Sequence, residues 1–116
     1  MGEQLNWTEH HRKSVGLIKE LFKTNSEMMQ PYSQMHKACL APNALDTKTK
    51  ELIALGIGVH TRCDGCIAAH TRAALHAGAT REEVTETLGV AIMMGGGPAV
   101  VYAARALDAL NEMKPE

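Results

Sequence analysis

Cys63, Cys66, His70 and Glu51 are the side chains whose types and spacing could do chemistry together. Cys63-Asp64-Gly65-Cys66 is a CxxC unit, His70 follows four residues after Cys66, and Glu51 lies twelve residues before Cys63. Two thiols at this spacing can close a small disulfide ring, hold a metal, or cycle between dithiol and disulfide. A histidine and a carboxylate at these offsets could tune the thiols, which makes the group a redox-site candidate.

Helical geometry sharpens this. On a helix that begins near Cys63, the residues Cys63, Cys66 and His70 fall at i, i+3 and i+7 and share one face. A thiol near a helix N-terminus feels the positive end of the macrodipole, which favours thiolate. His70, one turn from Cys66, can accept or return the proton. Glu51 belongs to the preceding helix. An antiparallel hairpin turning near residue 62 would fold it back toward His70, where a carboxylate could orient the ring and make it a better proton acceptor. Thiolate attack on a hydroperoxide would give a sulfenic acid, which the second thiol would condense to a disulfide. The same pair could instead exchange with an external disulfide.

Plainer readings stand beside this one. CxxC can be a structural pair or half of a zinc site. A closed zinc site needs four ligands, and neither Cys39 nor the remaining histidines supply a matching second pair. His70 could be a core histidine in a polar network, and Glu51 an exposed charge paired with Lys48 or Lys50. His60 reads as a cap on the C-terminal end of its helix, or as a residue lining the site. Cys39 reads as a buried free thiol, His10-His11 as a solvated surface pair, and Met28-Met29 and Met93-Met94 as core or subunit packing.

The elements that must hold these residues read as helices throughout. The 116-residue chain is 45% apolar but only 3% aromatic, so its core must come from Leu, Ile, Val, Ala and Met. That composition suits close-packed helices rather than a sandwich of strands. A first helix is expected from a Thr8 cap to about Lys23, with Val15, Ile18, Leu21 and Phe22 as its apolar stripe. Ser26 would cap a second through about Leu40, with Pro31 near its first turns. Asp46 would cap a third, Thr47 to about Thr61, apolar nearly all round and so buried on most sides. The fourth starts at the CxxC and runs to about His76, where Ala77-Gly78-Ala79 ends it with Gly78 as a left-handed cap. Thr80 and Glu83 form a capping box for the fifth, which Gly95-Gly96-Gly97-Pro98 stops at Met94. Pro98 opens a sixth helix to about Glu112. Small surfaces at Gly56-Ile57-Gly58 would permit close helix packing. No strand alternation, repeat or second-domain boundary is present, so residues 1–116 read as one all-α domain.

A net charge of −1 with no basic block gives no sign of nucleic acid or anionic lipid as partner. Without a membrane-length apolar run or a signal-peptide core, the chain is expected to be cytoplasmic, where a CxxC is more often catalytic or metal-binding than a staple. Alanine- and glycine-rich faces on six short helices leave apolar surface that one subunit would not cover, so a homo-oligomer is expected.

Glu51, eleven residues, Cys63, two residues, Cys66, three residues, His70 resembles the core motif of the AhpD-like alkylhydroperoxidases of the carboxymuconolactone decarboxylase superfamily. The resemblance runs from about Pro42 to Leu110 and includes Met94-Gly95-Gly96-Gly97-Pro98, similar to the family's glycine turn before its last helix. It implies an all-α fold, trimers or hexamers, and thiol-dependent peroxidase or disulfide-reductase activity that needs no metal, haem or flavin for the chemical step. By that analogy Cys66 is activated through a Glu51 and His70 relay, and Cys63 closes the disulfide. The substrate would be a hydroperoxide or a disulfide. The reductant would be a lipoyl or thioredoxin-like dithiol, with a peroxiredoxin as a further partner. This chain has Gly65 where the best-known members carry a relay histidine, and it has one motif where longer members have two repeats. The decarboxylase branch usually lacks the cysteine pair. A non-catalytic redox sensor is the alternative from a different functional class, and a decarboxylase is a lesser one.

Overall fold

The structure, a computed structural model, describes residues 5–113. Six helices follow one another among them: α1 Trp7–Thr24, α2 Ser26–Leu40, α3 Thr47–His60, α4 Asp64–His76, α5 Arg81–Gly95 and α6 Gly97–Met113. The fold is all-α. The antiparallel α3–α4 hairpin is its centre, with α5 and α6 packed across it and the N-terminal part of the chain laid on α4 and α6.

Helix ends explain most of the boundaries. Asp46 caps α3 by accepting the Thr49 N–H, and Thr80 and Glu83 form the reciprocal capping box of α5. Gly78, at φ 95°, closes α4, with its N–H on the Leu75 carbonyl and that of Ala79 on Ala74. The first helix starts earlier than the sequence suggests. Asn6, not Thr8, caps it by accepting the Glu9 N–H. Both carboxylate oxygens of Glu112 then take the free N–H groups of Trp7 and Thr8, each at 2.7 Å. A long-range partner thus does what a local cap usually does.

The core is built from small and aliphatic side chains: Leu55 and Val59 of α3, Ile67 and Leu75 of α4, Val84 and Leu88 of α5, Leu110 and four alanines of α6, with Trp7 as the single large aromatic. Alanine on α6 lets helices approach closely, so dispersion contacts replace bulky side chains.

Several burial expectations fail. The expected stripe of α1 is not core: Ile18 and Leu21 are exposed, Val15 and Phe22 half-buried, and only Trp7 is buried. Nothing on α2 is buried, so Cys39 is an exposed free thiol rather than a buried one. Helix α3 is not enclosed on most sides, because Ile53 and Ile57 are 47% and 58% exposed. His10 and His11 are half-buried rather than solvated. His10 lies edge-on to Trp7 at 6.1 Å, and burial, aided by the charges of Arg72 and His10, holds His11 below its ordinary value.

Candidate active site

The turn between α3 and α4 sets the position of the cysteines. Arg62 stands in the left-handed region at φ 60°. Its N–H donates to the Val59 carbonyl and that of Cys63 to Gly58, the two bonds of a Schellman closure. Glycine usually occupies this position, so no residue type announced it. The chain then reverses at once, and Cys63 becomes the N-cap of α4, its Sγ accepting the Cys66 N–H at 3.1 Å.

Cys63 and Cys66 are joined in a disulfide across the first turn of α4, with Cα atoms 5.2 Å apart. Both are half-buried. Gly58 makes the fit possible: a Cβ there would stand 2.9 Å from the Cβ of Cys66. The small surface expected around Gly56-Ile57-Gly58 is therefore spent on bringing α3 against the cysteine turn.

Glu51 and His70 meet across the same hairpin. Glu51 Oε1 lies 2.6 Å from His70 Nδ1, with the Glu51 side chain 7% exposed. The surface-pair reading of Glu51 fails, because Lys48 is bound to Glu83 at 2.9 Å and Lys50 donates to the Ala41 carbonyl. A carboxylate beside Nδ1 accepts its N–H and leaves Nε2 with a free lone pair. His70 stands one turn past Cys66 on α4. No hydrogen bond joins His70 to either sulfur among the described residues.

Two neighbours carried no signal in the sequence. His36 of α2 stacks on His70, with ring centres 6.3 Å apart and planes at 21°. Arg105 of α6 grips Asp64, inside the CxxC, with Nε and Nη2 at 2.9 and 2.7 Å from its two oxygens. Both contacts join distant segments, which local spacing does not report. His60 ends α3, exposed, and faces the groove between α3 and α5 rather than bonding to the cysteines. No group of three or more His, Cys, Asp or Glu side chains converges as a metal site among the described residues.

The sequence model of the carboxymuconolactone decarboxylase family matches residues 26–109. The chain belongs to this family. A Haemophilus influenzae protein is 44% identical over 107 residues, 92% of each chain. A solved carboxymuconolactone decarboxylase family protein of Legionella pneumophila superposes with a TM-score of 0.90 at 39% identity, over 94% of this chain and 97% of its own. A second family structure, from Thermotoga maritima, gives 0.78 at 33% identity over 87% and 89% of the two chains, and its description raises a role in antioxidative response as a possibility. Within the family's helical frame, this chain carries a CxxC pair closed as a disulfide at the head of α4.

Proposed function

We propose that this family member is a thiol-dependent oxidoreductase that cycles Cys63 and Cys66 between dithiol and disulfide, reducing hydroperoxides or disulfides. The observation that carries the reading is the Glu51–His70 hydrogen bond beside a disulfide at a helix N-terminus. In the reduced enzyme, His70 Nε2 takes the proton of the Cys66 thiol. The Cys66 thiolate attacks the terminal oxygen of the hydroperoxide, the O–O bond breaks, and the alkoxide leaves with the proton returned by His70. Cys66 is now a sulfenic acid. The Cys63 thiol attacks its sulfur, water leaves, and the disulfide forms. An external dithiol, lipoyl or thioredoxin-like, supplies the two electrons that reopen it. The Cys66 N–H, already bonded to Cys63 Sγ, stabilises the departing Cys63 thiolate.

Stopped-flow oxidation of the reduced protein by an organic hydroperoxide, with a dithiol present for turnover, tests this. Sustained turnover, lost in Cys66→Ser, supports the reading. One stoichiometric oxidation without turnover would assign the pair to a redox sensor, and oxidation of Cys66→Ser at the wild-type rate would remove Cys66 as attacking thiol.

We also propose a homo-oligomer, a trimer or hexamer by the resemblance. It is supported by the unburied α2 and by an apolar groove of ≈ 570 Å³ between α3 and α5, lined by Ile53, Ile57, Val90 and Met94 among others. Apolar faces of this kind are normally covered. A stable monomer in sedimentation at micromolar concentration would remove this assembly.

A further inference from the structure

Asp64 places a carboxylate between the two cysteines, where it opposes the chemistry proposed for them. A negative charge at the first position of α4 suits the helix, but it stands one residue from one sulfur and two from the other. Uncompensated, it would raise the energy of either thiolate. The chain answers this charge from the far side of the fold. Arg105 meets both Asp64 oxygens in a two-pronged bond. The arginine is itself held in place: its guanidinium lies 5.6 Å from the ring centre of Trp7 and 5.7 Å from that of Tyr102. Trp7 is in turn tied by its indole N–H to Asp108 at 2.9 Å.

We propose that Arg105 is a positioning residue for the dithiol: it pins the first turn of α4 through Asp64 and cancels the carboxylate that would otherwise oppose thiolate at Cys63 and Cys66. The inference rests on the dithiol reading above. The bond to Asp64 holds the guanidinium above the usual arginine range, against the opposing pull of burial, and an arginine is in any case cationic throughout the pH range in which thiols titrate. The other ionisable groups around the cysteine turn and Arg105 include His60 and Glu51 of α3, Arg62 on the connection, His70 on α4 itself, His36 of α2, and Tyr102 and Asp108 of α6. None of their hydrogen bonds among the described residues is to Asp64, which leaves Arg105 as its ionic partner.

A double-mutant cycle read by thiolate absorbance tests this on the reduced full-length protein. Arg105→Met keeps an unbranched aliphatic side chain at this position but removes the guanidinium and its charge. It is expected to raise the lower thiol pKa by about one unit, roughly a tenfold loss of thiolate at neutral pH. Asp64→Asn is expected to lower that pKa, because Arg105 then acts on the sulfurs unopposed. The double variant should return close to wild type. A purely structural clamp would move both single variants in the same direction, since either would loosen the head of α4, and that result overturns the proposal. If Arg105→Met does not fold, Asp64→Asn decides alone: a thiol pKa that rises or stays still refutes the inference. The titration needs no turnover. Absence of peroxide turnover in the wild-type protein, with the predicted titration pattern intact, would therefore count against the oxidoreductase reading and not against Arg105.

Discussion

Glu51 and His70 are joined by a 2.6 Å hydrogen bond that crosses from α3 to α4 and is almost closed to solvent on the Glu51 side. It orients the imidazole from behind and leaves Nε2 as the free nitrogen, the atom to which the proposed relay assigns the thiol proton. Removing the base should be costlier than removing its orienting partner. His70→Ala is expected to slow peroxide oxidation of the reduced protein by about 10²-fold or more. Glu51→Gln should slow it by about 10- to 100-fold. Stopped-flow rates for the two variants check the order. Equal rates for wild type and His70→Ala would remove the relay.

Gly58 is the contact point of the hairpin. In Gly58→Ala the new Cβ meets the Cβ of Cys66 at 2.9 Å, a distance that requires movement of one helix. The neighbour is the first carbon of its side chain and cannot swing away. The expected cost is about 1–3 kcal/mol in urea unfolding, with slower closure of the disulfide. Gly56→Ala, whose Cβ would find only a Thr87 methyl at 3.6 Å, serves as the tolerant control.

Arg62 and Gly78 occupy equivalent left-handed positions after α3 and α4. They should respond oppositely to substitution. Arg62→Gly relieves a conformation that arginine adopts at a cost, and is expected to stabilise by up to about 1 kcal/mol. Gly78→Ala introduces the same cost and should destabilise by about 1 kcal/mol. Paired denaturation curves measure both signs.

Acid sensitivity follows from two carboxylates. Burial alone would raise Glu112, but the N–H groups of Thr8 and Trp7 bind its ionised form and the net shift is downward from 4.5. Glu83 is lowered first by its bond to Lys48 and then by the Thr80 N–H. A group bound more tightly as carboxylate in the folded state contributes its stability above the unfolded value. That contribution is lost as the pH falls through the lower folded value. Thermal midpoints should therefore drop below about pH 4.5. The drop should be shallower in Glu112→Gln, and an identical acid limb in that variant would exclude Glu112 as a contributor.

Much of the fold was legible because its signals are local. The Asp46 cap, the Thr80–Glu83 capping box and the Gly78 turn each depend on residues within a few positions of one another, and each stands where spacing put it. The start of α1 was not legible, because its first N–H groups are satisfied by Glu112, more than a hundred residues away. Burial was misjudged where apolar spacing was the sole guide. An apolar stripe identifies a face that avoids water but not what covers it, and on α1 and α3 the chain leaves much of that face open.

The candidate site divides the same way. Sequence by itself determined the CxxC pair and its helical phase with His70, because residue type and a 3.6-residue period act along one chain; Glu51 is singled out by the resemblance of its spacing to the family motif, since periodicity alone favours an exposed charge there. Tertiary structure alone decided that Gly58 admits Cys66, that His36 stacks on His70, and that Arg105 binds the Asp64 carboxylate. Those are contacts between different helices. They arise only when close packing of small side chains brings α2, α3 and α6 to the head of α4, and no spacing within one segment encodes that approach.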